Sequence, residues 1–316
     1  MKILVACLFF VSIVWGGVIH PPKKQYKVDG GVTDIVYKDA KLYCATVAGV
    51  VDIIDTQKDA IIQKITLDKI KDFMGDPIDA KIYSVDVLKQ KVLILSQAQS
   101  GYREVRIFEN GTMKVVIPAS KKLYIAKAKF LDENTLVLGL LSNDIISYNL
   151  KTASNNWIKQ ASMSKFSNFA LSEDKAEVVI ADESGDLHIF DTRDGTLLKV
   201  LSGKNLDNVF QVDYKNKIIA TAGQDRRVVV YNLKFNSAYY KTANFLIYSV
   251  GVSPSGALVG YASDENNNVT VFKTNTKSTV GVFGGNSMTL TNILFINEKE
   301  FFVSSDDKII NFYTID

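Results

Sequence analysis

From about residue 24 onward, apolar and polar positions alternate in short runs, among them residues 82–87, 91–96, 178–181 and 228–231, each bounded by Gly, Asn, Asp or Ser. A period of two closed off by turn residues predicts β-strands. Nothing beyond a couple of turns carries the 3.6-residue period of an amphipathic helix. One brief helix is expected, over residues 69–74, and the rest of the chain reads as all-β.

The strands recur as a composite unit. An apolar strand, a turn and a second apolar strand lead to a polar turn, then a third strand ending in a large apolar residue plus Asp or Asn, and a fourth, more polar strand. The polar turn falls at Gly49, Gly101, Asn143, Gly185, Asp225, Glu265 and Asp306, at intervals of 52 and then 42, 42, 40, 40 and 41 residues. Seven units of that length predict a seven-bladed β-propeller of four-stranded antiparallel blades, since a blade buries both faces only by stacking on its neighbours. The third strands share an ending: Ile54-Asp55, Tyr148-Asn149, Phe190-Asp191 and Tyr231-Asn232. The weaker second unit leaves six or eight blades as alternatives. The last unit supplies three strands only, near residues 289–295, 300–304 and 308–313. Residues 24–28 are therefore expected to pair into the last blade and close the ring, leaving no open edge.

The beginning of the chain reads differently. Met1 and Lys2 precede an apolar run from Ile3 to Trp15, followed by Gly16, Gly17 and a polar segment with Pro21 and Pro22. That is the layout of a cleavable secretory leader, and about 13 apolar residues fall short of the roughly 20 that span a membrane. The expected division is a leader at 1–17 and one propeller domain at 18–316. A retained anchor or a buried strand is the alternative. Leu4-Val5-Ala6-Cys7 has the form of a lipoprotein box but precedes most of the apolar run, so no stable membrane anchor is expected. Without Cys7 the mature chain keeps Cys44 alone and can form no internal disulfide, which suits a periplasmic location.

Composition narrows the chemistry. With 47% hydrophobic and 22% charged residues and a net charge of +3, the chain is neither disordered nor basic enough for a nucleic-acid binder. Its histidines are His20 and His188, too few for a histidine-built metal or haem site. No glycine-rich phosphate loop and no paired cysteines occur, and the aspartates lack EF-hand spacing. His188 lies within a third strand without a Ser-His-Asp arrangement and reads as structural. A non-catalytic protein without cofactor, monomeric and working through protein contacts, is the expectation.

Two features suit a partner. The over-long first interval contains Phe73 and Met74 among charges, in a segment expected to project between the first two blades. The turns between second and third strands, which gather on the same face, carry Arg103, Asp225, Arg226, Arg227 and Asp306. They could form a charged recognition rim or serve as ordinary turn residues. Asn110-Gly111-Thr112 fits a hairpin turn better than a glycosylation acceptor.

The stretches 221–232, 181–191 and 304–313 resemble the turn and third strand of WD40-like propellers, with Tyr or Phe in place of Trp and no Gly-His pair opening any unit. That leaves the hydrogen-bonded tetrad of those repeats in doubt. The leader together with residues 26–37, 41–43 and 49–55 is similar to exported propeller accessory proteins of the NapL type. These accompany periplasmic nitrate reductase systems in epsilonproteobacteria. The resemblance implies a non-catalytic protein that supports a molybdenum-containing reductase through contact with one of its subunits. It implies no individual site residue. A scaffold for outer-membrane protein assembly and a propeller enzyme of the quinoprotein or lactonase type are the competing classes.

Overall fold

The computed structural model describes residues 18–316; the expected leader, with Cys7, lies outside the described residues. Each repeat unit folds as a four-stranded antiparallel sheet, ordered from first strand to fourth, with first strands beginning at residues 32, 82, 125, 166, 209, 250 and 290. Every first strand touches those of the neighbouring blades, and the first strand of blade 7, Leu290–Phe295, touches that of blade 1, Val32–Lys38. The expected ring of seven blades is thereby closed.

Second and third strands bury both faces, which explains their continuous apolar runs such as Lys91–Gln97 and Arg227–Asn232. Seven apolar clusters fill the seven blade interfaces, one in each. Between blades 6 and 7, for example, Phe283 packs edge-on against Phe301 at 5.0 Å and Phe301 stacks on Tyr313 at 5.1 Å. Cys44 is fully buried in blade 1, and burial pushes its thiol pKa well up, as expected of a small core residue.

The shared ending of the third strands has a local cause. The Asp55 carboxylate accepts the N–H groups of Gln57 and Lys58, both at 3.0 Å, and Asn149 accepts those of Lys151 and Thr152. Asp191 accepts the N–H of Arg193 and Asn232 that of Phe235. Each is an Asx turn that reverses the chain into the outer strand.

Ring closure follows the expected route and adds to it. Lys24–Lys27 pairs antiparallel with Ile309–Thr314 as the fourth strand of blade 7, with Tyr26 opposite Ile310. Tyr26 is buried, and its hydroxyl donates to Asp59 of blade 1 at 2.7 Å. Ahead of it, Ile19–His20 pairs parallel with Thr279–Phe283 as a fifth strand on blade 6. At the same seam the backbone of blade 7 passes so close to Gly31 that a Cβ there would lie 2.4 Å from the carbonyl oxygen of Asp306.

The helix expected over residues 69–74 is not formed. Ile70–Lys71 and Pro77–Ile78 make a short two-stranded hairpin instead. The Asp72 carboxylate gathers the N–H groups of Met74 and Asp76, and Gly75 takes φ +93°, so the side chain favours a turn over a helical start.

Candidate interaction face and central channel

Two regions hold the groups available for chemistry or recognition: the face carrying the inter-blade loops, and the channel bounded by the first strands. On the first of these, the loops from one blade to the next and the turns between second and third strands emerge side by side. Repeated backbone hydrogen bonds tie them together: Leu67 to Gly49, Ala161 to Asn143, Gln224 to Asn208 and Ala243 to Arg226.

Phe73 and Met74 sit at the tip of the 70–78 hairpin, 95% and 73% exposed. They do not stand alone. Tyr124, Met163, Leu206, Phe245 and Met288 are likewise exposed, and each belongs to a different inter-blade loop. Six of the seven loops thus present a large apolar or aromatic side chain, and only the short 28–31 connection does not. Exposed apolar residues scattered singly are ordinary; a ring of them repeated blade after blade on one face is not.

The charged residues expected to form a rim divide. Arg226, at the tip of the blade 5 turn with φ +63°, and Asp306 are exposed. Asp225 is held by the turn: its carboxylate accepts the N–H groups of Leu206 at 2.8 Å and Arg227 at 3.0 Å. Arg227 stacks over Tyr240 at 4.2 Å and donates to the Lys204 carbonyl. Arg103 lies over the Tyr83 ring at 3.4 Å, where burial lowers its pKa. Three of the five are therefore engaged within the protein, leaving Arg226 and Asp306 free beside the apolar ring.

The polar clusters beneath the turns are built on asparagine. Buried Asn205 accepts from Thr221 at 2.7 Å and donates to Asp225, and buried Asn286 accepts from Asn311 and Tyr313. An asparagine of an inter-blade loop thus anchors each of these two clusters. His188 lies 3.9 Å from Asp182, whose buried carboxylate accepts from Asn143, Ser162 and Ser184.

The channel was not singled out from the sequence. Its wall is formed by first strands, each an edge with one row of backbone groups unpaired by its own sheet. Side chains of the preceding blade satisfy many of them. Asp34 accepts the N–H of Val85, Ser84 that of Ala128 and Asp86 that of Phe130, while Gln211 accepts that of Val250 and Asp213 that of Val252. In six blades the second residue of the first strand is skipped by the pairing: Thr33, Tyr83, Ala126, Ser167, Phe210 and Thr291. This bulge lets the polar residue after it reach the next blade.

Toward the turns between first and second strands the channel widens to a cavity of about 350 Å³, lined among others by Lys127, Lys129, Asp34, Asp86 and Asp213. Lys129 donates to Asp34 at 2.9 Å and to the Val85 carbonyl at 2.6 Å. Burial works to lower its pKa, but the Asp34 and Asp86 carboxylates hold it above the ordinary value. Lys127 donates to Asn168 and to the Phe169 carbonyl, both at 2.9 Å, and lies over the Phe169 ring at 5.3 Å; among the described residues no carboxylate accepts a hydrogen bond from it. Burial, with Lys129 adding repulsion, lowers its pKa to about 8. Among the described residues no group of three or more His, Cys, Asp or Glu side chains is placed to hold a metal ion.

Compared with known proteins, the chain matches no family model and no curated sequence. Fold and geometry alone define its class, a seven-bladed propeller, which is consistent with a protein-interaction module.

Proposed function

We propose that this chain is an exported, non-catalytic interaction module that docks a protein partner on its inter-blade loop face, and that the partner is a subunit of a periplasmic nitrate reductase system. The observation that carries the docking is the ring of exposed Phe73, Met74, Tyr124, Met163, Leu206, Phe245 and Met288. Met and aromatic residues are enriched in protein interfaces, and flanking charges such as Arg226 and Asp306 suit the polar rim of one. The leader-like first 17 residues support export. The similarity of residues 26–37 and 49–55 to NapL-type accessory proteins supports the nitrate reductase partner.

The test is recovery of tagged protein, after mild crosslinking, from its own cells grown anaerobically on nitrate. A reductase subunit is expected to co-purify, and to be lost when Phe73 and Met74 are both changed to Ser. Recovery of outer-membrane assembly components instead would select the scaffold class. No reductase subunit, together with unchanged nitrate reduction on deletion, would refute the proposed partner.

A further inference from the structure

Away from the docking loops, the channel contains a lysine with no carboxylate among its hydrogen-bond acceptors. A lysine ammonium carries three N–H donors. In Lys127 two are taken by neutral acceptors, Asn168 and the Phe169 carbonyl, and the third has no acceptor among the described residues. The side chain is mostly removed from solvent, yet it lines an open cavity. The wall around it belongs to blades 3 and 4, where Lys129 and Lys175 also point their ammonium groups at backbone carbonyls: Lys129 at that of Val85, Lys175 at that of Phe130. Asp34 is the one carboxylate among the acceptors of these three cations.

Holding a poorly neutralised ammonium in a half-buried site is unfavourable unless something compensates. The remaining charges explain what kind of compensation fits. Asp86 and Asp213 line the same cavity; Asp86 accepts one backbone N–H, from Phe130, and Asp213 accepts two, from Val252 and Tyr214, so lone pairs stay open on both and most of them on Asp86. Asp213 also lies 3.7 Å from Lys215. Glu173, at the turn of blade 4, and Tyr37, on the first strand of blade 1, complete the titratable lining. Acceptor-seeking lysines on one wall and donor-seeking carboxylates on the others, with Phe169, Leu171 and Leu294 between them, make an amphoteric pocket. Its volume lies at the lower end for small-molecule sites.

We propose that the central channel binds a small organic carboxylate that also carries a hydroxyl or amino donor, with the carboxylate on Lys127 and the donor toward Asp86 or Asp213. Charge-assisted contacts of that kind are the stronger class of hydrogen bond, and removing one partner weakens binding by about tenfold or more. Since burial lowers the pKa of Lys127 to about 8, its positive charge is lost and affinity falls as pH rises from 7 through about 9.

Calorimetric titration of the mature chain with L-malate, L-glutamate, succinate, inorganic phosphate and butylammonium tests this. Malate or glutamate is expected to bind at one site per chain, more tightly than succinate, which lacks the donor. Lys127→Gln is expected to weaken that binding about tenfold, and Lys127→Arg to restore most of it. Should Lys127→Gln fail to fold, the wild-type Lys127 Cε resonance still reads the site, moving on addition of malate and not of butylammonium. The proposal is overturned if no carboxylate binds with a Kd of about 10 mM or tighter. It is overturned equally if phosphate or butylammonium binds as well as malate, or if binding survives unchanged in folded Lys127→Gln.

Discussion

The loop face and the channel are made of opposite materials. On the loop face the recurring side chains are apolar and touch little: Phe73 and Met163 are more than nine-tenths exposed. In the channel the recurring side chains are polar and each is tied to a neighbouring blade, as Asp34 is to Val85 and Lys129. The difference teaches which positions hold the ring together and which are free to serve something else. Channel residues are structural first, and Lys127 differs from Lys129 in having only neutral acceptors. Among the loop residues, Tyr124 and Phe245 each meet one neighbouring ring, of Tyr102 and of Tyr248, while Phe73 and Met163 stand almost fully exposed.

Substitutions on each side can break that division. The largest effect is expected for Asp34→Ala, which strands the Lys129 ammonium and the Val85 N–H in the channel wall. Removing one partner of a buried pair costs about 3–5 kcal/mol. Chemical denaturation reads the loss, and a change below 1 kcal/mol would remove the channel from the load of stability. Next comes the Phe73→Ser, Met74→Ser double variant. Partner binding should weaken at least about tenfold, near 1.4 kcal/mol, while the melting temperature holds. A loss of stability comparable to that of Asp34→Ala would show that the loop ring is packed rather than displayed.

Lys127→Met should move stability the other way. The folded pKa of Lys127, about 8, lies below its ordinary 10.5. The unfolded chain therefore holds more protons between those values, and this group's contribution to stability rises with pH across that window. At pH 7 the methionine variant is expected to be more stable by about 1–2 kcal/mol, after allowing for solvent in the channel. The gap should close toward pH 10.5, as paired denaturation curves would show. A gap that widens would contradict the assignment. The smallest effect is expected for Arg227→Ala, which loses the stack on Tyr240 and one carbonyl contact. About 1 kcal/mol in a thermal melt, with partner binding unaffected, would keep this residue on the structural side of the rim.

Much of this was legible in the sequence for a physical reason. Strand alternation and the forty-residue repeat both express burial, and burial decided the blade count and the seam at Lys24–Lys27. The 69–74 helix failed because Asp72 and Gly75 are turn formers that outweighed a short apolar spacing. Phe73 and Met74 stood out because the interval around them is long. Tyr124, Met163, Leu206, Phe245 and Met288 passed unnoticed, since a lone apolar residue in a loop carries no periodicity. The channel residues hid for another reason: the bulge inserts one residue before each of them and breaks the alternation. A signal was nonetheless present, as Val32/Asp34, Ile82/Ser84, Ile125/Lys127, Phe166/Asn168, Val209/Gln211 and Leu290/Asn292 repeat an apolar and a polar residue two apart. Only alignment of the units with one another exposes it. Ile19–His20 gave no signal, because two residues are too few for any pattern.

The seam also orders events in time. Residues 19–27 are among the earliest of the described chain to be made, yet their partners, Thr279–Phe283 and Ile309–Thr314, are among the last. Until those strands exist the early segment has nothing to pair with, and afterwards the third strand of blade 7 stays an open edge until the segment arrives. Closure joins positions nearly the whole chain apart, the kind of contact that forms slowly. While the edge waits, it offers the same hydrogen-bonding template to the early segment of a second chain. Protein concentration during refolding therefore sets a competition between a closed ring and strand-exchanged chains, and dilution favours the ring.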